Sequence, residues 1–370
     1  MKHRLVNGVP IPVIGQGGMG LGGYFEMDAG QDQVGLKALA VGLEHGATFL
    51  DTAESYGAGH SEELIGLAVK GLRSKVFLAT KFLPEHSRYE EVLAAAEGSL
   101  RRLRTDYIDL YQVHWPNSNV PLAETMGALD DLVTVGKVRM IGVCNFSLDE
   151  LKEAQKRAET RISFIQAEYN LFDRGIESDL LPYCRENGIL VLAYSPVDQG
   201  LRHFSPSQKE YLSAMGRKYG RSSVQVMLNW LVSSGGVTAI PQTNNPAHAR
   251  ENALAADFTL STEDVRALNQ LFPQKPAYIA PRTISPVGRL DRPGRKIYST
   301  KKEALDNKFD LTPSPAQLAR DMMTDPRIKP VRVAETGPGA YELLEGRVRY
   351  WAWVIAFGED EPIPCLVKRI

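Results

Sequence analysis

Four side chains in this sequence have the types needed to move a proton, and each stands at or just past the end of a strand-like run. Asp51 closes Phe49-Leu50-Asp51, and Tyr56 follows in the next loop. Lys81 closes V-F-L-A-T-K, and His114 closes Y-I-D-L-Y-Q-V-H. Tyr56 precedes Lys81 by 25 residues, and Lys81 precedes His114 by 33. Each interval is about one strand–helix unit, so these positions fall at consecutive strand ends around one cavity. A phenol titrates near pH ~10 and is a poor acid at neutrality. An adjacent ammonium stabilises the phenolate, so the phenol gives up its proton more readily. A carboxylate beside the lysine fixes its charge and aim, and an imidazole orients a carbonyl oxygen toward the phenol. The set suits carbonyl reduction, with hydride passing from a nicotinamide to carbon and a proton from tyrosine to oxygen.

The elements that must hold these groups alternate. F-L-D-T (49–52), V-F-L-A-T-K-F (76–82), Y-I-D-L-Y-Q-V-H (107–114), V-R-M-I-G-V-C-N-F (138–146), S-F-I-Q-A-E-Y-N (163–170), I-L-V-L-A-Y-S-P (189–196) and V-T-A-I-P (237–241) read as strands, with I-G-Q-G-G-M-G (14–20) as the first strand and its loop. Between them, Gln33–His45, Tyr89–Leu103 and Ser222–Val232 carry apolar residues at helical spacing. Ser147-Leu-Asp-Glu150 is a capping box that opens another helix. Such alternation forces parallel strands with right-handed crossovers. Eight units predict an α/β chain with a (β/α)8 TIM barrel, preceded by a β-hairpin over residues 1–14 that turns at Asn7-Gly8. The alternative is an open doubly wound sheet. The glycines between Gly15 and Gly23 resemble its dinucleotide-binding turn, but Tyr24–Gly30 separates them from any helix.

The chain has 370 residues and a mass of 40.9 kDa, enough for a barrel and a further module. With 43% hydrophobic and 24% charged residues it is globular in composition, not fibrous or disordered. A net charge of −1 carries no nucleic-acid or membrane-surface signature for the whole chain. The first residues lack the apolar core of a leader, and no run is long and apolar enough to span a bilayer. Cys144, Cys184 and Cys365 fit neither a disulfide framework nor a metal-ligand spacing, so the expectation is a cytoplasmic protein without a metal. The alternation stops after Ser261–Phe272. Three parts are therefore expected: a barrel over 1–273, a Pro/Gly/Arg-rich linker over 274–294, and a small α+β module over 295–370. In that module K-I-Y-S (296–299) is a strand candidate, Ser314–Thr324 and Arg347–Phe357 are helix candidates, and a hairpin turns at Thr336–Gly339. From Pro276 onward there are 16 Lys and Arg against 12 Asp and Glu, a mildly basic balance that suits an anionic ligand.

Over residues 3–273 the sequence resembles the aldo-keto reductase superfamily. The resemblance is carried by G-A-T-F-L-D-T-A-E-S-Y-G (46–57) with S-E-E-L-I-G (61–66), A-T-K (79–81), D-Y-I-D-L-Y-Q-V-H-W-P (106–116), G-V-C-N-F (142–146), Q-A-E-Y-N (166–170), A-Y-S-P (193–196), and I-P-Q-T (240–243) with R-E-N (250–252). It implies a barrel that binds NADP(H), or less often NAD(H), in extended form. By motif, Tyr56 resembles the proton donor, Lys81 and Asp51 its modulators, and His114 the group that orients the carbonyl. Asn145 and Gln166 match the pair that holds the nicotinamide carboxamide, with Cys144 where the family has serine. Tyr194 matches the ring that stacks on the nicotinamide, and Ser195 and Pro196 line the pyrophosphate path. Gln242, Thr243, Arg250 and Asn252 fall at the adenosine end. Gln242 stands where a lysine often reaches the 2′-phosphate, and His248 stands where several members have an arginine; that loss weakens charge-assisted phosphate binding. Met19, Tyr24, Phe82 and Trp115 match the substrate pocket.

The C-terminal module resembles the ParB-like/sulfiredoxin-like fold through L-L-E-G-R-V-R-Y-W-A (343–352) and I-P-C-L-V (363–367). That resemblance implies a phosphate or nucleotide ligand at Arg347 and Arg349, where a helix start also points amides outward. Arg347 occupies the position of a sulfiredoxin's reactive cysteine, so sulfinic-acid reduction is not expected. The functional expectation is an NAD(P)H-dependent reductase of aldehydes or ketones acting on a small carbonyl substrate. The alternative is a cofactor-sensing barrel that regulates, or is regulated by, a nucleotide- or phosphate-binding module.

Overall fold

The computed structural model describes residues 1–197, 201, 204–272, 277–287, 298–311, 313–324, 328, 330–337 and 339–369. Two units divide the chain, Met1–Leu271 and Phe272–Ile370.

The first unit opens with the hairpin β1 (His3–Val6) and β2 (Val9–Pro12), in antiparallel register from His3 opposite Pro12 to Val6 opposite Val9. Asn7 and Gly8 both take positive φ at its turn. Eight parallel strands follow: β3 (Gln16–Gly17), β4 (Phe49–Asp51), β5 (Phe77–Phe82), β6 (Ile108–Val113), β7 (Val138–Cys144), β8 (Ile162–Glu168), β9 (Leu190–Tyr194) and β10 (Val237–Ala239). They pair in sequence order, and a parallel bridge between Ile14 and Ala239 joins the last strand to the first. The sheet is therefore a closed barrel and not the open doubly wound alternative. Its outer helices include α1 (Asp32–Glu44), α2 (His60–Ala68), α3 (Tyr89–Leu103), α4 (Leu122–Thr134), α5 (Leu148–Arg157), α6 (Leu180–Glu186), α7 (Pro206–Tyr219), α8 (Ser223–Ser233), α9 (Pro246–Ala253) and α10 (Thr262–Leu271). Ser147 caps α5 in the reciprocal box its sequence encodes.

Side chains alternate along a strand, so inward positions recur every second residue. Phe49, Phe77, Leu110, Met140, Phe164 and Leu190 point inward and form an apolar floor with Val6 and Ile11 of the hairpin. An even number of residues further along the same strands come Asp51, Lys81, His114, Cys144, Gln166 and Tyr194. One parity rule thus places a greasy plug at the bottom of the barrel and a polar layer near its mouth.

The second unit is a mixed sheet with strand order β11 (Ala277–Ile279), β15 (Ile363–Arg369), β13 (Val331–Gly337), β14 (Ala340–Glu345) and β12 (Ile284–Ser285). Helices α11 (Lys301–Leu305), α12 (Pro315–Thr324) and α13 (Arg347–Phe357) complete it. Trp351 and Val354 of α13 bury against Val331, Val333 and Ile363 of the sheet. Part of the stretch expected as linker, 277–285, contributes two strands to this sheet, whereas 274–276 and 288–294 lie outside the described residues. Tyr298 and Ser299 of the expected K-I-Y-S strand are not in a strand, and the rest of that run is not described.

The loop that carries Tyr56 is held backbone to backbone. Gly57 has φ +57° and donates its amide to Tyr24 O at 2.9 Å. A Cβ on it would lie 2.4 Å from Gly22 O. Gly57→Ala should therefore cost about 1–3 kcal/mol of stability and displace the neighbouring tyrosine. Urea unfolding of the full chain would check this, with an unchanged midpoint as the contrary result.

Candidate active site

The polar layer is organised around one ammonium. Lys81 is 0% exposed, and a buried cation requires an acceptor for each proton. Its Nζ donates to Asp51 Oδ2 at 2.7 Å, to Thr52 O at 2.8 Å and to Tyr56 Oη at 3.4 Å. Burial works against this charge, but Asp51 and then Tyr56 outweigh it and hold the ammonium well above its ordinary pKa. Burial acts in the opposite sense on the Tyr56 phenol, raising it to about 12 even though Lys81 lowers it and Asp51 adds to the rise. The lysine eases ionisation as the residue types imply, yet desolvation is the larger effect, and the phenol keeps its proton at neutral pH.

His114 joins the same layer. Its ring meets Tyr56 edge-on, with centroids 5.7 Å apart and planes at 78°. Its other face stacks on Trp115 at 3.5 Å. Asp51, Tyr56, Lys81 and His114 are thus brought together from β4, its following loop, β5 and the end of β6.

Beside them lies a bed of amides. Gln166 Nε2 donates to Asp51 Oδ1 at 2.8 Å, and Cys144 Sγ contacts Gln166 Oε1 at 3.7 Å. Asn145 Nδ2 donates to His114 O and to Cys144 Sγ, both at 3.1 Å, while Asn145 Oδ1 accepts from Tyr194 Oη at 2.8 Å. Asn145 and Ser195 adopt left-handed backbone, with φ of 63° and 47°. Such conformations cost free energy and persist where surrounding contacts enforce them, often at functional sites. Here Asn145 N bonds Gln166 O, and Asn170 Nδ2 bonds Ser195 O. Pro196 is buried directly after them.

At the end of β10, Gln242 Nε2 donates to Asn244 Oδ1, and Asn244 in turn donates through Nδ2 to Gly20 O. A shallow cleft there is lined by Gln242, Thr243, Asn244, Gly20, Tyr24 and Asp28. Asn252 is buried beside a second, narrower slot that Thr243 also lines. Arg250 is exposed, with Nε 3.3 Å from His45 Nε2.

Of the expected substrate-pocket residues, Met19 and Tyr24 are exposed, Tyr24 by 66%. Trp115 is half-buried against His114. Phe82 is fully buried with its ring 5.3 Å from Tyr111, so it backs the barrel wall and does not face the mouth. In the second unit, Arg347 donates to Leu343 O, Leu344 O and Pro286 O, and Arg349 donates to Pro330 O. Arg347 thereby ties the end of β14 and Pro286 to the start of α13, and Arg349 ties Pro330 to it.

Two polar groups in or beside this layer escape a reading of residue types. Thr52 acts through its carbonyl, which no side-chain motif marks. Gln112 is 0% exposed, neither of its amide atoms has a hydrogen-bond partner among the described residues, and it sits two residues before His114, in the same strand parity. Its place before the histidine was the available signal.

The amide bed, the stacking-capable Tyr194 ring and the protonated phenol together fit a nicotinamide cofactor and a carbonyl. Known proteins agree. The sequence profile of the Aldo/keto reductase family matches residues 13–272. The methylglyoxal reductase YeaE of Escherichia coli is 38% identical over 267 residues, covering 72% of this chain and 92% of that protein. The structure of the thermostable aldo-keto reductase Tm1743 with the inhibitor epalrestat is 39% identical, with a TM-score of 0.70, over 73% of this chain and 100% of that one. The structure of an aldo/keto reductase from Klebsiella pneumoniae with NADP and acetate is 37% identical, with a TM-score of 0.68, over 74% and 95%.

Removing one partner of the buried ion pair leaves an uncompensated charge. Lys81→Met should cost about 3–5 kcal/mol, and Asp51→Leu with Lys81→Met together should cost less than Lys81→Met alone. Additive losses in a double-mutant cycle would contradict the pairing.

Proposed function

Because this chain belongs to the aldo/keto reductase family, we propose that Tyr56 protonates the carbonyl oxygen of a small 2-oxoaldehyde of the methylglyoxal type. The enzyme is an oxidoreductase that reduces aldehydes or ketones with NADP(H). The observation that carries the residue assignment is the contact of the buried Lys81 Nζ with both Asp51 Oδ2 and Tyr56 Oη. The 2-oxoaldehyde class rests on the similarity to the methylglyoxal reductase.

A nicotinamide cofactor, when bound, would supply the hydride. The chain's residues do the rest. Asn145 and Gln166 would present one amide each to the carboxamide, and Tyr194, which donates through Oη to Asn145 Oδ1, supplies the neighbouring ring. His114, edge-on to Tyr56, donates to or guides the carbonyl oxygen so that it sits against the phenol. Tyr56 Oη releases its proton to that oxygen as the alkoxide forms, and the phenolate left behind faces the Lys81 ammonium. Asp51 and Thr52 O keep that ammonium in place, so no solvent reorganisation is needed at the moment of transfer.

The second unit is the small α+β module whose ParB-like/sulfiredoxin-like likeness rests on 343–352 and 363–367. The bonds of Arg347 and Arg349 to backbone carbonyls favour a fold-holding role for both over a phosphate site. The intact Tyr56–Lys81 contact favours an enzyme over a cofactor-sensing barrel.

Loss of NADPH absorbance with methylglyoxal and a panel of other aldehydes tests the reading. Tyr56→Phe should lower turnover by at least about 100-fold, the range of general acid catalysis, while cofactor affinity is kept. Equal rates for the two proteins would defeat it. The pH dependence follows from the raised phenol. Reduction needs the neutral form, so its rate should stay flat through neutrality and decline only as pH rises toward about 12. Alcohol oxidation needs the phenolate and should climb with pH over the same range. A reduction rate that halves between neutral and mildly alkaline pH would assign the proton to another group. Arg347→Ala should lower stability and leave turnover and phosphate affinity unchanged; an accompanying loss of ATP binding by calorimetry would restore the phosphate reading.

A further inference from the structure

Asp51 serves two neighbours with its two oxygens. Oδ2 accepts from Lys81 Nζ at 2.7 Å, and Oδ1 accepts from Gln166 Nε2 at 2.8 Å. All three side chains are buried. An ionised carboxylate has acceptors only, so a glutamine amide that faces it must turn its NH2 inward. The orientation of Gln166 is therefore dictated by chemistry. Its Oε1 is left on the opposite side, by Cys144 Sγ at 3.7 Å, a long and weak contact that leaves an acceptor free for a stronger donor.

We infer that Asp51 is a positioning residue for the cofactor as well as for Lys81: by holding the Gln166 NH2 it fixes Oε1 as the acceptor for the nicotinamide carboxamide NH2. This rests on the reading that Gln166 faces the carboxamide. One carboxylate then sets two things at once, the charge beside the proton donor and the hydrogen-bond polarity of the nicotinamide bed. Neither could be retuned without the other.

Replacing Asp51 by asparagine separates the two roles. The Lys81 ammonium only donates, so it captures the carbonyl oxygen of the substituted side chain. The new NH2 is then turned to Gln166, which must flip its Oε1 toward it and present Nε2 to the carboxamide. Two NH2 groups would then oppose each other. In the 3-acetylpyridine analogue of NADP+ a methyl group replaces the carboxamide NH2, so the analogue does not register the flip.

The experiment measures dissociation constants of NADP+ and of this analogue for the full-length enzyme by tryptophan fluorescence, with no turnover required. The wild type should prefer NADP+, and Asp51→Asn should lose about ten-fold in NADP+ affinity with little change for the analogue. The double variant Asp51→Asn with Gln166→Glu restores an acceptor on both sides and should recover the preference. Gln166→Leu should abolish it. If Asp51→Asn keeps the wild-type preference, or weakens both ligands equally, while Gln166→Leu abolishes it, the role given to Asp51 is wrong and the reading of Gln166 stands. If Gln166→Leu itself keeps the preference, the reading of Gln166 fails and the inference falls with it.

Discussion

A fully buried ammonium is the constraint on which the site depends. Taking Lys81 out of water is costly unless every proton finds an acceptor, and the barrel supplies a carboxylate, a main-chain carbonyl and a phenol. All three come from the end of β4 and the loop after it, so the pairing with Lys81 is possible only when β4 and β5 are neighbours in register. The apolar floor below excludes water from beneath and makes the pairing stronger, since charges in a dry site interact more strongly than at the surface. The same dryness keeps the Tyr56 phenol protonated at neutral pH.

Around that centre the structure carries local strain. Asn145 and Ser195 take left-handed backbone at the ends of β7 and β9, and Gly57 and Ala58 do so beside the phenol. Asn145 is fixed by the hydrogen bond its backbone N–H donates to Gln166 O, and Gly57 by the one its N–H donates to Tyr24 O. These positions sit where strands give way to loops, which is where a parallel barrel gathers its functional groups.

Much of this was legible beforehand. Alternation of strand-like and helical segments led to the barrel, because a period of two and a period of about 3.6 are distinct in sequence. Asp51, Tyr56, Lys81 and His114 stood out because their types and their spacing of about one unit coincide. Phe82 illustrates a different outcome. It directly follows the inward-facing Lys81, so strand parity turns it outward, and a placement by motif alone missed that. The strands at 277–279 and 284–285 are too short to carry a period, and partners more than 50 residues away decide their pairing. The Gln166–Asp51 bond spans 115 residues and links strands that are not adjacent, so neither spacing nor pattern announces it. Arg347 looked like an exposed cation at a helix start, but folding buries it against carbonyls at the end of the preceding strand β14.

The most direct test of the proton-donor assignment is a crystal structure of the enzyme with NADP+ and acetate, whose carboxylate oxygen stands in for the carbonyl oxygen of a substrate. The account predicts that oxygen within about 3 Å of Tyr56 Oη, with the phenol still in contact with Lys81. An acetate oxygen seated on another donor, with Tyr56 turned away from it, would contradict the account.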